Sequence, residues 1–225
     1  MANFILAGLF TEGTTDVRFL ESIVKKTLVD VAFECSGEIE TELEIININK
    51  IGLNFNQQVL EASKKASIDF SVLILFVHTD ADGVNDEIIF LSKIIPAKEF
   101  LNIYEDNSIC KNVVAIVPIQ MTESWMLADK ELLKSEIGIA GTDFELGIHK
   151  NPEEITNPKA AIEKVIQLSK ENQTKRKRNK GLMISDLYQI IGQKVELSEL
   201  EKLPSYLKFK SSLREMFIEL NFLHD

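Results

Sequence analysis

The sequence predicts an α/β fold: a mostly parallel central sheet flanked by helices. Three observations predict it. Short apolar runs alternate with amphipathic stretches over the first 140 residues or so. The run SVLILFVH, Ser71 to His78, is apolar almost throughout, as expected of a central parallel strand covered on both faces. The resulting βαβαβαβα order calls for right-handed crossovers and therefore parallel strands.

The first strand is NFILAGLF, Asn3 to Phe10. After TEGTTD comes a helix in which Val17, Leu20, Val24, Leu28 and Val31 fall at helical spacing, with Thr14 or Thr15 as the N-cap. ELEIININ, Glu42 to Asn49, reads as the second strand and FNQQVLEASKKAS as the second helix. The central strand leads through the tight loop TDADG into VNDEIIFLSKII, a third helix ending near Pro96. NVVAIVPI, Asn112 to Ile119, is the fourth strand and ESWMLADKELLK the helix after it. From about Gly141 the character changes. GTDFELGIHKNPEEITNP carries the punctuation of a loop. The helices PKAAIEKVIQLSKENQ, GLMISDLYQIIG, LSELEKL and SYLKFKSSLREMFIELNFL follow. The expected organisation is an α/β domain over 1–140 and a helical C-terminal subdomain over 141–225 packed on it.

The chain of 225 residues is long enough to bury a substantial core. Its formal net charge of -10 excludes a protein that coats nucleic acid through overall charge. A polyanionic partner has to be held by a local basic patch or through metal ions. The two cysteines, Cys35 and Cys110, are in no CxxC spacing. That argues against a disulfide scaffold or a zinc site and fits a reducing cytoplasm. The apolar start MANFILAGLF is too short to span a bilayer and has neither the positive leader nor the cleavage site of a signal peptide. No later apolar run reaches membrane length, so no membrane partner is expected.

Four acids sit just beyond the strands: Glu12 after the first, Asp80 and Asp82 after the third, Glu123 after the fourth. In an open α/β sheet, ligands bind outside the carboxyl ends of parallel strands. Carboxylates gathered there repel by ~4 kcal/mol per pair about 4 Å apart at an effective dielectric near 20. Such a group calls for a cation or for raised pKa values. Asp16 lies one turn beyond Glu12 and can face the same pocket. In an extended turn Asp80 and Asp82 point to one side, an arrangement of acceptor-only groups that suits a hard ion such as Mg²⁺. Each acid also has a plainer reading. Glu12, Asp16 and Glu123 complement helix dipoles, and the DxD pair forms an Asx-type turn capping a helix.

KRKRNK places five cations, Lys175, Arg176, Lys177, Arg178 and Lys180, in six positions. It is either a grip on a nucleic-acid backbone or a solvated helix end. The three histidines form no site; His78 ends a buried strand and reads as packed. Tyr104, Tyr188 and Tyr206 read as peripheral or core. There is no GxxxxGK[ST] motif, so ATP hydrolysis by a P-loop is not expected.

Together FTEGTTDVRFL, ILFVHTDADG and VPIQMTESWMLAD resemble the Toprim domain, over roughly Asn3 to Asp129. This is the metal-dependent catalytic module of topoisomerases, bacterial-type primases, recombination proteins and nucleases of the overcoming-lysogenization-defect (OLD) family. The longer form EGTTDVRFL is more similar to the OLD-type nucleases. ESWMLAD, NPEEITNPK and the leucine-rich C-terminus are similar to a small bacterial Toprim-like family of unknown function, linked to phage defence and to neighbouring ATPase genes. The resemblance implies that Glu12 is a metal ligand or general acid/base. It implies that Asp80 and Asp82 bind one or two Mg²⁺ (or Mn²⁺) ions, with Asp16 and Glu123 completing the second position. Two ions about 4 Å apart would clamp the attacking and leaving oxygens of a phosphodiester. OLD-type nucleases also use a late lysine, for which Lys159 is the first candidate and Lys177, Arg178 and Lys180 the others. No topoisomerase tyrosine can be placed, which favours hydrolysis by water.

Three functions follow. The first is a Mg²⁺-dependent Toprim-type nuclease acting on DNA or RNA. The second is a non-catalytic binding or regulatory module that docks to a partner ATPase. The third, a phosphotransfer receiver, ranks lowest, because its acid pair belongs after the first strand. A sheet edge or the C-terminal helix offers a surface for a homodimer.

Overall fold

The computed structural model describes residues 3–83, 85–104, 108–171 and 181–224. Strand β1 (Asn3–Phe10) leads through a short loop into helix α1 (Thr14–Phe33), followed by β2 (Ile39–Ile45), α2 (Phe55–Phe70) and β3 (Ile74–His78). Next come α3 (Glu87–Ile89), a π-helical turn (Phe90–Ile94), α4 (Ile95–Ile103) and β4 (Val113–Ile116). Beyond the last strand lie α5 (Glu123–Met126), α6 (Lys130–Ile137), α7 (Asp143–Leu146), a 3₁₀ turn (Pro152–Glu154) and α8 (Pro158–Glu171). A second 3₁₀ turn (Ile184–Asp186), α9 (Leu187–Lys194), α10 (Leu197–Leu200) and α11 (Pro204–Glu219) complete the described chain.

The four strands form one sheet in the order β2-β1-β3-β4, every pairing parallel. The alternating pattern of the sequence is therefore realised as an α/β fold. Phe10 is in register with Val77, and His78 with Ile116. The carboxyl ends of β1, β3 and β4 consequently share one edge of the sheet.

Side chains alternate across the strands and feed two apolar layers. Ile5, Ala7 and Leu9 of β1, Ile74 and Phe76 of β3, and Val114 and Ile116 of β4 join the larger core with α1, α5, α6, α8, α9 and α11. Leu75, Val77 and Val113 face the other way, onto Val59, Leu60, Ala62 and Ala66 of α2 and Ala97 and Leu101 of α4. The larger core runs without a break from β1 to Phe217 of α11. α9 lies unusually close to α1: a Cβ on Gly192 would sit 2.6 Å from the Phe19 carbonyl oxygen. Only glycine permits that approach, and it sets the position of everything α9 carries.

Several boundaries differ from the sequence reading for local reasons. β2 begins at Ile39 and not at Glu42, because β1 offers partners from Asn3↔Ile39 to Leu9↔Ile45. The third helix does not stop near Pro96. A π turn precedes it, with the Ile95 N–H donating to the Phe90 carbonyl, and Pro96 falls in the first turn of α4, where its missing N–H costs nothing. The helix after β4 is broken in two, and the Asp129 side chain accepts from Leu132 N at 2.9 Å to cap the second piece. The stretch read as loop contains α7, with Thr142 and Glu145 forming a capping box. Among the described residues, no helix is long and apolar enough to cross a membrane.

Candidate metal centre at the carboxyl edge of the sheet

The loop after β1 is shaped by Gly13, which is the N-cap of α1 in place of Thr14 or Thr15. Asp16 reaches back and accepts from Gly13 N at 2.9 Å. A side chain at position 13 would collide with that carboxylate, its Cβ lying 2.8 Å from Asp16 Oδ2. Asp16 thus turns toward the sheet edge. Glu12 is exposed beside it, and Thr79 Oγ1 donates to its Oε2 at 3.0 Å. Two lysines close this end. Lys93, in the π turn, donates to Thr79 Oγ1 at 3.0 Å. Lys50 donates to the carbonyls of Thr11 and Glu12 at 2.6 and 2.7 Å.

The TDADG loop runs extended as far as Ala81 and turns at Asp82. It continues the parallel ladder past β3 and β4: Thr79 N donates to the Ile116 carbonyl at 3.2 Å, Ala81 N to Pro118 at 3.1 Å and Asp82 N to Gln120 at 2.9 Å. The ladder ends in two left-handed residues, Asp82 at φ 53° and Gln120 at φ 65°. Asp and Asn tolerate that region better than most side chains, so Asp82 suits the turn that ends the ladder, within electrostatic reach of Asp80. Asp80 is pinned. Its Oδ1 accepts from Thr122 N at 2.9 Å and Thr122 Oγ1 at 3.2 Å, with His78 Nε2 also at 3.2 Å.

Glu123 opens α5 and is buried, with the Tyr188 hydroxyl of α9 donating to its Oε1. Lys159, exposed in the first turn of α8, is near enough for its charge to favour the Glu123 carboxylate. It also lines a cleft of about 540 Å³ with Glu163, Lys170 and Met183. Lys175, Arg176, Lys177, Arg178 and Lys180 lie outside the described residues.

The acids sense one another. Burial pushes Asp16 above the ordinary carboxylate range; Asp80 adds to the rise, while His78 opposes it. Asp82 is pushed up by burial, then by Asp80 and Glu12, against Lys93. Glu123 is pushed up by burial and by Asp80, against the Tyr188 hydrogen bond and Lys159. The Tyr188 hydroxyl is itself held well above its usual value by burial and by the bond to Glu123. The structure therefore places Asp16, Asp82 and Glu123 within electrostatic reach of Asp80, Glu12 within reach of Asp82, and Lys159 within reach of Glu123.

Raised carboxyl pKa values give stability a definite pH dependence. Between the ordinary carboxylate range and the raised value, the native chain holds more protons than the unfolded one. Stability then falls as pH rises through that window and levels off above it. Asp16, Asp82, Glu123 and the buried Glu153 all shift this way. Thermal unfolding is expected to move to higher temperature as pH is lowered from neutral toward the ordinary carboxylate range. A midpoint that instead falls over this range would contradict the repulsion described.

The donor set is oxygen-rich and suits a hard divalent ion. Among the described residues, no group of three or more His, Cys, Asp or Glu is placed to hold a metal ion. A separate observation concerns the polar atoms at this edge. Buried polar atoms nearly always have partners. Among the described residues, the buried side-chain atoms without one are His78 Nδ1, Gln120 Nε2 and Ser124 Oγ. All three belong to the segments that build this edge.

His78, Tyr188, Thr79, Thr122, Lys50 and Lys93 belong to the site although the sequence reading gave them no role there. His78 is packed, as expected, yet it stands between two of the acids. Its place beside TDAD was the available signal; Tyr188 gave none, being 65 residues from Glu123.

A family model described as a domain of unknown function (DUF4276) matches residues 11–200. No curated protein and no solved structure matches the chain.

Proposed function

Starting from the chain's membership of the DUF4276 family, a domain of unknown function, we propose that it is a Toprim-type, metal-dependent hydrolase of phosphodiester bonds in nucleic acid. The observation that carries this reading is the convergence of acids from the ends of three parallel strands, three of them held above the ordinary range by burial and by each other. Glu12, Asp16, Asp80, Asp82 and Glu123 would hold Mg²⁺ or Mn²⁺. A divalent ion there supplies Lewis-acid stabilisation of the charge that builds on the phosphate. Glu12, exposed and oriented by Thr79, takes the proton from the attacking water. Thr122 and His78 fix Asp80, and Tyr188 fixes Glu123. Lys159 stabilises developing negative charge from the α8 side, and the cations of KRKRNK grip the substrate backbone. The resemblance to the small bacterial Toprim-like family linked to phage defence supports a role there.

A second reading, a non-catalytic module that works with a partner ATPase, draws on one feature. Ile88, Leu91 and Ile95 expose an apolar stripe along α3, the π turn and α4, next to the loop that carries Asp82.

Both readings meet in one experiment: single- and double-stranded DNA and RNA incubated with the protein and Mg²⁺ or Mn²⁺, beside Asp82→Asn. Asparagine tolerates the left-handed backbone at position 82, so the variant removes charge without straining the turn. Cleavage of at least one substrate, reduced roughly a hundredfold or more in the variant, is expected. Equal cleavage by both proteins, or none by either, would remove the hydrolase reading.

A further inference from the structure

We propose that the open edge of β2 is a docking site for an extended segment of a partner protein, one that alternates apolar and basic residues and joins the sheet as a fifth strand. The inference does not rest on the hydrolase reading: the acids at the carboxyl edge follow β1, β3 and β4, and β2 contributes none of them.

β2 is the outer strand of the order β2-β1-β3-β4. Asn3 N donates to the Glu38 carbonyl, and Ile46 N to the Leu9 carbonyl. In a parallel strand the N–H and C=O of one residue point to the same side, and successive residues alternate. The even-numbered residues therefore bond to β1, while Ile39, Thr41, Leu43 and Ile45 turn theirs outward. Among the described residues, no other backbone group bonds to these four. Edge strands are commonly blunted by lysine, proline or a bulge. IETELEI has neither lysine nor proline, and its register with β1 is continuous from Asn3↔Ile39 to Leu9↔Ile45.

The two faces of this edge define the occupant. On one face Leu43 joins the larger core with α1. Beside it, clefts of about 490 and 440 Å³ adjoin along α1 and β2, sharing Val29 and Thr41. Val29 is 43% exposed and Phe33 85%, so an apolar wall stands next to unpaired backbone. On the other face are Glu40, Glu42 and Glu44, in register with Phe4, Leu6 and Gly8. Among the described residues, none of these three carboxylates has an ion-pair or hydrogen-bond partner. A strand added about 4.8 Å from β2 alternates its side chains between the two faces. Those toward α1 meet Val29 and Phe33. Those toward the other face stand opposite the glutamates, where lysine or arginine attracts and another acid repels. That excludes a second copy as the favoured occupant, because β2 paired with β2 sets the glutamates against one another. Main-chain bonds then give affinity, and the alternating side chains give specificity.

Fluorescence anisotropy on the full chain tests this with two labelled peptides. The first has about nine residues alternating valine and lysine, enough to span the seven of β2; in the second, glutamate replaces each lysine. The valine–lysine peptide should bind at least about tenfold more tightly than the valine–glutamate peptide. Thr41→Pro removes an outward N–H and leaves the bonds to β1 intact, a placement that an edge strand tolerates. It should keep the wild-type circular dichroism and weaken binding at least about tenfold. The double variant Glu40→Lys/Glu42→Lys should reverse the preference between the peptides. No binding of the valine–lysine peptide by the wild type, undiminished binding by Thr41→Pro, or a preference unchanged by the charge reversal each overturns the proposal. So does a wild-type dimer that Thr41→Pro converts to a monomer, since the occupant is then a second copy. If Thr41→Pro does not fold, the charge reversal decides alone.

Discussion

Asp80→Asn is expected to abolish divalent-ion binding and cleavage while raising the melting temperature of the metal-free protein. The two effects have one cause. Asparagine keeps a carbonyl oxygen where Asp80 Oδ1 accepts from Thr122 N at 2.9 Å, so the loops after β3 and β4 stay joined. What disappears is the charge, and that charge raises the carboxyl pKa values of Asp16, Asp82 and Glu123. Removing it relieves repulsion that the folded chain otherwise carries. It also removes the central ligand. Lewis-acid stabilisation is worth several kcal/mol, and each 1.36 kcal/mol is tenfold in rate, so cleavage should fall by roughly a thousandfold or more. Asp80→Ala separates the contributions. It gives the same loss of activity but leaves the buried Thr122 N–H without its acceptor, at about 1–3 kcal/mol. Calorimetric binding, a cleavage assay and thermal unfolding on the three proteins check the pattern. A metal-free Asp80→Asn that melts well below the wild type would show that the carboxylate serves structure and not a ligand.

That a residue should weaken the fold it sits in is a mark of function, and it bears on what the chain revealed before folding. β1 and the central position of β3 were legible because a buried parallel strand has to be apolar on both faces. The order Glu, DxD, Glu was legible because parallel crossovers return every strand end to the same edge. Pro96 misled because the π turn before it shifts the hydrogen-bond pattern, and no local signal announces that shift. The DxD loop is extended as far as Ala81, as its spacing suggests; the left-handed turn at Asp82 goes with pairing to Gln120, a tertiary event. His78 looked like core and is core. Its place among the acids depends on which atoms meet its two nitrogens, and those come from Asp16 of α1, from Asp80 and from Thr122. Tyr188 could not be anticipated at all, since its reach to Glu123 depends on Gly192 admitting α9 close to α1.

Trp125→Ala should be among the most damaging single changes, and its cost should extend to the crevice. α5 has four residues, all buried, and a single turn cannot be held by helix propensity. Trp125 anchors it. The indole is 0% exposed, packs edge-on against Tyr206 at 5.4 Å and lies 6.2 Å from Phe209. Its Nε1 donates to Ser205 Oγ at 2.7 Å, and Ser205 Oγ donates in turn to Glu153 Oε1 at 2.5 Å. Truncation removes the ring contacts and the head of that chain together, at about 3–5 kcal/mol. At about 2–4 °C per kcal/mol for a chain of this length, the melting temperature should drop by roughly 6–20 °C. Glu123 is two residues away on the same turn, so its pairing with Tyr188 should loosen and divalent-ion affinity should fall as well. Phe217→Ala is the control. Phe217 of α11 is equally buried, but it packs against Phe222, beyond the end of that helix. It should lose comparable stability and leave metal affinity unchanged. If both variants lower metal affinity to the same degree, the loss reflects general destabilisation; if only Trp125→Ala does, the indole is what holds the Glu123 turn at the site.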